Sequence, residues 1–119
     1  MDRWQGLHSF WSSFGLPAYD ESSVPEDTQL PYITYSAAVD SLDAPLALTA
    51  NIWYRDTSWE DISKKADEIS ERLKNGGATI SLDVGYLWLT RGSPFAQRGA
   101  NEENIKQIYI VLMGEYLTE

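Results

Sequence analysis

Apolar side chains recur along this chain in two rhythms, one helical and one alternating. Trp4, Leu7, Trp11 and Phe14 are spaced three, four and three residues apart, which aligns them on one helical face, with Phe10 beside the stripe. Gly15 suits a left-handed cap and Pro17 cannot extend the hydrogen-bond ladder, so the spacing predicts a helix within residues 1–15. A helix of barely three turns does not hold in water alone and must dock. The simpler expectation is its own domain's sheet, because most apolar stripes are core; the sharper one is a neighbouring subunit.

Residues 16–31 break the rhythm. Three prolines and four acids with scattered apolar residues predict an extended loop rather than a helix or a central strand. Loops of this length in compact domains tend to be functional or mobile. From Tyr32 to Val39 the β-branched, aromatic and small residues predict a strand, and the segment Ser41 to Pro45 a turn. Leu46, Leu48, Ala50, Ile52 and Tyr54 then alternate with Ala47, Thr49, Asn51 and Trp53, a second strand that pairs with the first as an antiparallel hairpin. Trp59, Ile62, Ala66, Ile69 and Leu73 return to the helical period and predict a helix over 58–74, with Ser58 as its cap and Asp61 as the capping acid. Glu60 with Lys64, Asp61 with Lys65, and Glu68 with Arg72 are four-residue ion pairs along it, and Asn75-Gly76-Gly77 ends it. Two further strands are expected over Thr79–Thr90 and Ile105–Leu117. The last, apolar on both faces from Ile108 to Met113, should be central in a sheet covered on two sides: the second helix on one, the N-terminal helix or another chain on the other.

The elements predict a single α+β domain over residues 1–119, ordered helix-strand-strand-helix-strand-strand, with a mainly antiparallel sheet packed against helices. Its parts are the helix in 1–15, the acidic loop 16–31, and the sheet plus helix 58–74 within 32–119. At 119 residues and 43% apolar composition the chain can bury a core without staples. No cysteine is present, which removes disulfides and thiolate chemistry and fits a reducing compartment. No stretch has the pattern of a signal peptide or the roughly 20 apolar residues of a membrane helix, so a soluble protein without a membrane partner is expected. The net charge of −9 disfavours nucleic-acid binding by the protein as a whole. Arg3 is the only Lys or Arg through Pro45, whereas Arg91 to Arg98 hold two arginines and no acid. That stretch is expected to be a small basic loop, most simply a solvated connection.

Candidate chemistry is sparse. His8 is the only histidine, beside an aromatic stripe, and is expected to be a packing residue. No nucleophile elbow, Walker A or dinucleotide fingerprint occurs. The acids Asp20, Glu21, Glu26 and Asp27 lack the ligand alternation and central glycine of a calcium loop. Adjacent acids at Glu60-Asp61 and Glu102-Glu103 do not form the facing carboxylates of glycoside hydrolysis. Neither catalytic residues nor a metal or cofactor is expected.

The segment Leu30-Pro31-Tyr32-Ile33-Thr34-Tyr35, followed by Ile52-Trp53-Tyr54 and the Trp-Glu-Asp-Ile helix from Ser58 to Leu73, resembles the tail terminator (tail completion) proteins of long-tailed bacteriophages and related prophage elements. The likeness covers nearly all of the chain and rests on element order and short segments. It implies a structural protein of the virion tail, assembled in the host cytoplasm as a ring, typically sixfold, that caps the tail tube. The implied partners are further copies of the chain, the tail tube protein, and head-tail connector or neck proteins, with transient passage of DNA through the lumen. Subunit or tube contacts are then expected at Trp4, Trp11, Phe14, Tyr32, Tyr35, Arg91, Phe95 and Arg98, and Arg91 or Arg98 is a candidate for facing DNA. Alternatives from other classes are a neck or head-tail adaptor of the same virions, a small cytosolic protein-binding module, and a degenerate enzyme using Asp83 or Asp56 as a base.

Overall fold

The order of elements is α1 (Arg3–Ser12), β1 (Ala18–Asp20), β2 (Tyr32–Tyr35), β3 (Leu46–Arg55), α2 (Glu60–Arg72), β4 (Ala78–Ser81), β5 (Tyr86–Glu102) and β6 (Ile105–Leu117). They come from a computed structural model, which describes residues 1–36, 46–102 and 104–117, with the side chains of 100–102 set aside. The expected continuation of the first strand to Val39 and the turn from Ser41 to Pro45 lie outside the described residues. The fold is mixed α and β, with two helices and six strands in the order β1-β2-β3-β6-β5-β4. All neighbours are antiparallel except β1 and β2, which run parallel.

Two strands therefore have to be added to the expected order. The first is β1, in the segment expected to be loop throughout. Three residues suffice because the preceding Pro17 carbonyl accepts from Ile33 N at 2.9 Å and Tyr35 O accepts from Glu21 N at 2.9 Å, which fixes the short edge to β2. The second arises because the expected strand over Thr79–Thr90 folds on itself as the β4–β5 hairpin. Gly85, at φ 74°, makes the reversal, and Leu82 N donates to its carbonyl at 3.0 Å.

Residues Arg91 to Arg98 are part of β5, a correction to the expected basic loop. From Arg91 to Ala96 β5 advances five residues while β6 advances two, from Leu112 to Ile110, so Gly92, Ser93, Pro94 and Phe95 lie within a bulge. Glycine and proline are tolerated there because the ladder is interrupted anyway. Gly92 is also sterically required: a Cβ on it would stand 2.7 Å from the Val111 carbonyl oxygen.

Both helices pack on the same sheet face. From β2, β3, β5 and β6, respectively, Ile33 and Tyr35, Leu48 and Ala50 and Ile52, Leu87 and Leu89, and Ile108 and Ile110 and Leu112 point inward. Against them lie Leu7, Phe10, Trp11 and Phe14 from the N-terminal segment, and Ile62, Ala66, Ile69 and Leu73 from the α2 segment. Each large side chain buried in this layer contributes about 1.5–3 kcal/mol. The N-terminal helix thus docks on its own sheet. Phe10 joins its buried face, whereas Trp4 remains 42% exposed. Asp2 caps α1 by accepting from Gln5 N at 2.8 Å, while Gln5 Oε1 accepts from Asp2 N at 2.9 Å.

The start of α2 differs from expectation. Trp59 occupies the cap position without a side-chain cap bond, and Ser58 Oγ accepts from Glu60 N at 3.0 Å. Of the expected ion pairs, Glu60–Lys64 forms at 3.1 Å. Lys65 instead pairs with Glu68 at 3.2 Å and donates to the Phe14 carbonyl at 2.6 Å. Arg72 likewise turns to the N-terminal segment: it donates to Ser13 Oγ at 2.9 Å and lies 4.5 Å from the Phe14 ring centre. Lys65 and Arg72 thus tie α2 to the segment that follows α1, where the Phe14 carbonyl and the Ser13 hydroxyl accept from them.

Candidate functional site

Along β6 the inward positions Lys106, Ile108, Ile110, Leu112 and Gly114 are buried, but Gln107, Val111, Met113 and Glu115 are half-buried and Tyr109 is 37% exposed. Strand β6 is central, as expected, yet no described element covers its second face. The register places Trp53, Asn51 and Thr49 of β3, and Trp88 and Thr90 of β5, on that same outer face. Tyr32 and Tyr19 continue it toward the β1 end, with ring centres 5.9 Å apart edge to face.

The outer aromatics are held in place by their polar tips. Trp53 Nε1 donates to Thr34 Oγ1 at 3.0 Å, and Trp88 Nε1 donates to the Gly76 carbonyl at 2.6 Å. Gln107 Nε2 donates to Asn51 Oδ1 at 2.5 Å between the two central strands. Fixed aromatic rings present apolar area at small entropic cost, the property that makes them effective in interfaces. A shallow depression of about 220 Å³ lies between Trp88, Thr90, Met113 and Glu115.

The two ends of the sheet differ in length and charge. At one end β1 is three residues long and leads into Glu21, Glu26 and Asp27, all exposed. Asp20 accepts from Ser22 N at 3.0 Å and from Ser22 Oγ at 2.8 Å, and these bonds hold its carboxyl below the ordinary value. At the other end β4 pairs with β5 only from Tyr86 to Leu89, so the rest of β5 has β6 as its one strand neighbour among the described residues. This long free edge carries Arg91 and Arg98, both exposed. Glu71 of α2 is held low first by its bond from Lys74 and also by the charge of Arg91, so Arg91 lies toward the helical side.

The expected contact residues are thereby dispersed. Trp11, Phe14 and Tyr35 are 1%, 2% and 6% exposed and belong to the core of the chain's own domain. A partner reaches them only if α1 leaves its sheet. Trp4 is exposed at the opposite end of α1, and Tyr32 is half-buried on the outer face. Phe95 is half-buried in the bulge against the core. Arg98 lies 4.7 Å from the centre of the Trp59 ring, which also receives Lys106 at 5.6 Å. His8, expected as packing, is exposed, with Nδ1 3.1 Å from the Tyr35 hydroxyl and Nε2 3.3 Å from Ser12 Oγ. Burial raises the Tyr35 phenol, and the charge of Asp20 adds to that.

Sequence reasoning missed Trp53, Trp88, Tyr109, Val111 and Met113 as a surface. Their signal was the apolar outer register of β6, which was assigned to a covered face. Among the described residues no group of three or more His, Cys, Asp or Glu side chains is arranged to hold a metal ion. No described helix is long and apolar enough to cross a membrane. Compared with known protein families, characterised proteins and solved structures, the chain matches none of them.

Proposed function

We propose that the chain is a structural virion protein that assembles as a ring, caps a phage tail tube and offers the joining surface to the head or neck. The observation that carries this reading is the difference between the two ends of the sheet. A ring closes through heterologous contacts, in which one patch of a subunit meets a different patch of the next. Here an acidic end at Asp20, Glu21, Glu26 and Asp27 faces away from a long free edge bearing Arg91 and Arg98. Opposite charges at opposite ends favour head-to-tail association and disfavour pairing of like ends. The outer face, with Trp53, Trp88 and Tyr109, supplies apolar area beside that contact. The tail terminator assignment within this structural class rests on the resemblance of the segments Leu30–Tyr35, Ile52–Tyr54 and Ser58–Leu73.

Size-exclusion chromatography with light scattering and negative-stain imaging, with and without isolated tail tubes, tests the reading. Rings in solution or on tube ends are expected. A chain that remains monomeric and ignores tubes overturns it. Rings that bind connectors but never tubes move the assignment to a neck adaptor.

A further inference from the structure

Strand β6 is apolar on both faces from Ile108 to Met113, yet both helices lie on one of them. A central strand of that composition is ordinarily covered on two sides. On the outer face Trp53 of β3 continues through Asn51 and Thr49, and Tyr109 of β6 through Val111 and Met113. Contiguous apolar area in water marks a contact surface.

The outward positions of these two central strands carry only two charges, at opposite ends of the strands. Arg55 pairs with Ile105, ten residues before Glu115 on β6, a span of roughly 33 Å. Arg55 is exposed and Glu115 half-buried, and neither forms an ion pair among the described residues. Midway between them is the level where Ala50 pairs with Ile110. Three outward couples stand at equal distances on either side of that level: Arg55 and Glu115, Trp53 and Met113, Tyr109 and Val111. A two-fold axis running across the strands at this level would exchange the members of each couple between two copies. Every cation then meets an acid, and each of these rings meets an aliphatic or thioether side chain.

We propose that the outer face is a two-fold interface with a second copy of this chain, the two sheets packed face to face. Their strands run antiparallel and cross within about 30°, as aligned sheets do. Arg55 of each copy pairs with Glu115 of the other, Tyr109 covers Val111 beside the axis, and Trp53 covers Met113. At the spacing of strands, β3, β6 and the adjoining part of β5 offer roughly 500 Å² on each copy. The total of about 1,000 Å² meets the lower bound for a specific interface. An interface of that size fits a dissociation constant of about 10–100 µM. A contact that joins the same patch on both copies closes at two, unlike the head-to-tail contact of a ring. The inference does not rest on the ring reading, because the charged edges of the sheet take no part in it.

The test is sedimentation velocity of the whole chain carrying Arg91→Glu, which weakens the edge contact, from about 1 to 200 µM. A reversible dimer is expected. In that background Arg55→Glu and Glu115→Arg should each weaken it at least about tenfold, because each sets like charges together twice. An equimolar mixture of these two variants should regain the dimer, since both contacts across the axis then join opposite signs. Tyr109→Arg should abolish it, with an unchanged circular-dichroism spectrum as the check on folding. A monomer throughout this range, a dimer indifferent to both charge variants, or a mixture that regains nothing would overturn the proposal. Assemblies longer than two in the mixture would overturn the two-fold and point to a heterologous contact. Loss of this dimer leaves the ring reading standing, because tail tubes test that reading separately.

Discussion

Gly114 sits opposite Leu89 and Leu46, at the C-terminal end of the buried face of β6. A Cβ there would stand 2.5 Å from Leu48 Cδ1 and 3.5 Å from Leu89 Cδ2, so the position is reserved for hydrogen by packing, not by backbone conformation. Gly114→Ala should therefore destabilise the fold by about 1–3 kcal/mol, the range for overpacking a close-packed core. Urea denaturation measures this, and an unchanged midpoint would show that Leu48 can move aside. A different residue-scale effect governs Asp20. Its carboxyl is held low mainly by the Ser22 backbone N–H and then by the Ser22 hydroxyl, so these bonds favour the ionised form. The stabilisation they give is present above the unfolded pKa and is lost as pH falls through the lower folded value. Ser22→Ala keeps the N–H and removes the hydroxyl. The Asp20 carboxyl should then titrate at a higher pH than in the wild type while remaining below an unperturbed aspartate. Carbon-detected NMR follows this directly, and an unshifted titration would assign the effect to the backbone alone.

At the scale of elements, the energetic weight of α1 sits at its C-terminal half. Trp11 and Phe14 are almost fully buried, with Phe10 packed edge to face against both at 5.0 and 5.2 Å. Trp11→Ala should cost about 3–5 kcal/mol in thermal or denaturant unfolding, whereas Trp4→Ala should cost about 0.5 kcal/mol or less. Equal losses at the two sites would mean that the whole stripe packs, as its spacing suggests. The periodicity located this helix, α2, β3 and β6, because each has a sustained rhythm with a buried side. It could not show that Trp4 stays 42% exposed, since the stripe says which residues share a face and not how far the supporting surface extends. The three residues of β1 are too few to show a period, and their pairing depends on β2, which is distant in sequence. Gly92, Pro94 and Gly99 imitate a loop in composition, although β6 continues alongside and converts the irregularities into bulges. The turning of Lys65 and Arg72 toward Phe14 and Ser13 depends on tertiary proximity, which the four-residue spacing to their expected partners does not show. The outer-face site was half legible: the apolar residues of β6 were visible, but not that both helices choose the other side.

For the whole molecule, the net charge of −9 is less informative than its division between the two ends of one sheet. If copies associate head to tail, the Arg91 end of one subunit meets the Asp20–Asp27 end of the next, and the contact weakens with salt as a surface electrostatic interaction should. Arg91 is the cleaner probe, because Arg98 also lies over Trp59 and its loss would disturb packing within the subunit. Arg91→Glu should shift the light-scattering distribution toward monomer, lowering the association constant by about tenfold or more at low salt, with a smaller difference at high salt. Glu21→Lys with Glu26→Lys should weaken association in the same direction, because the altered end now repels Arg91. Combining the three substitutions restores opposite signs across the contact and should recover part of the lost association. Recovery in the combined variant is the decisive outcome, since damage confined to either end would add in the triple variant instead of cancelling. Association insensitive to all three variants would remove the charged ends from the interface and leave the uncovered face around Trp53, Trp88 and Tyr109 as the surface that joins subunits.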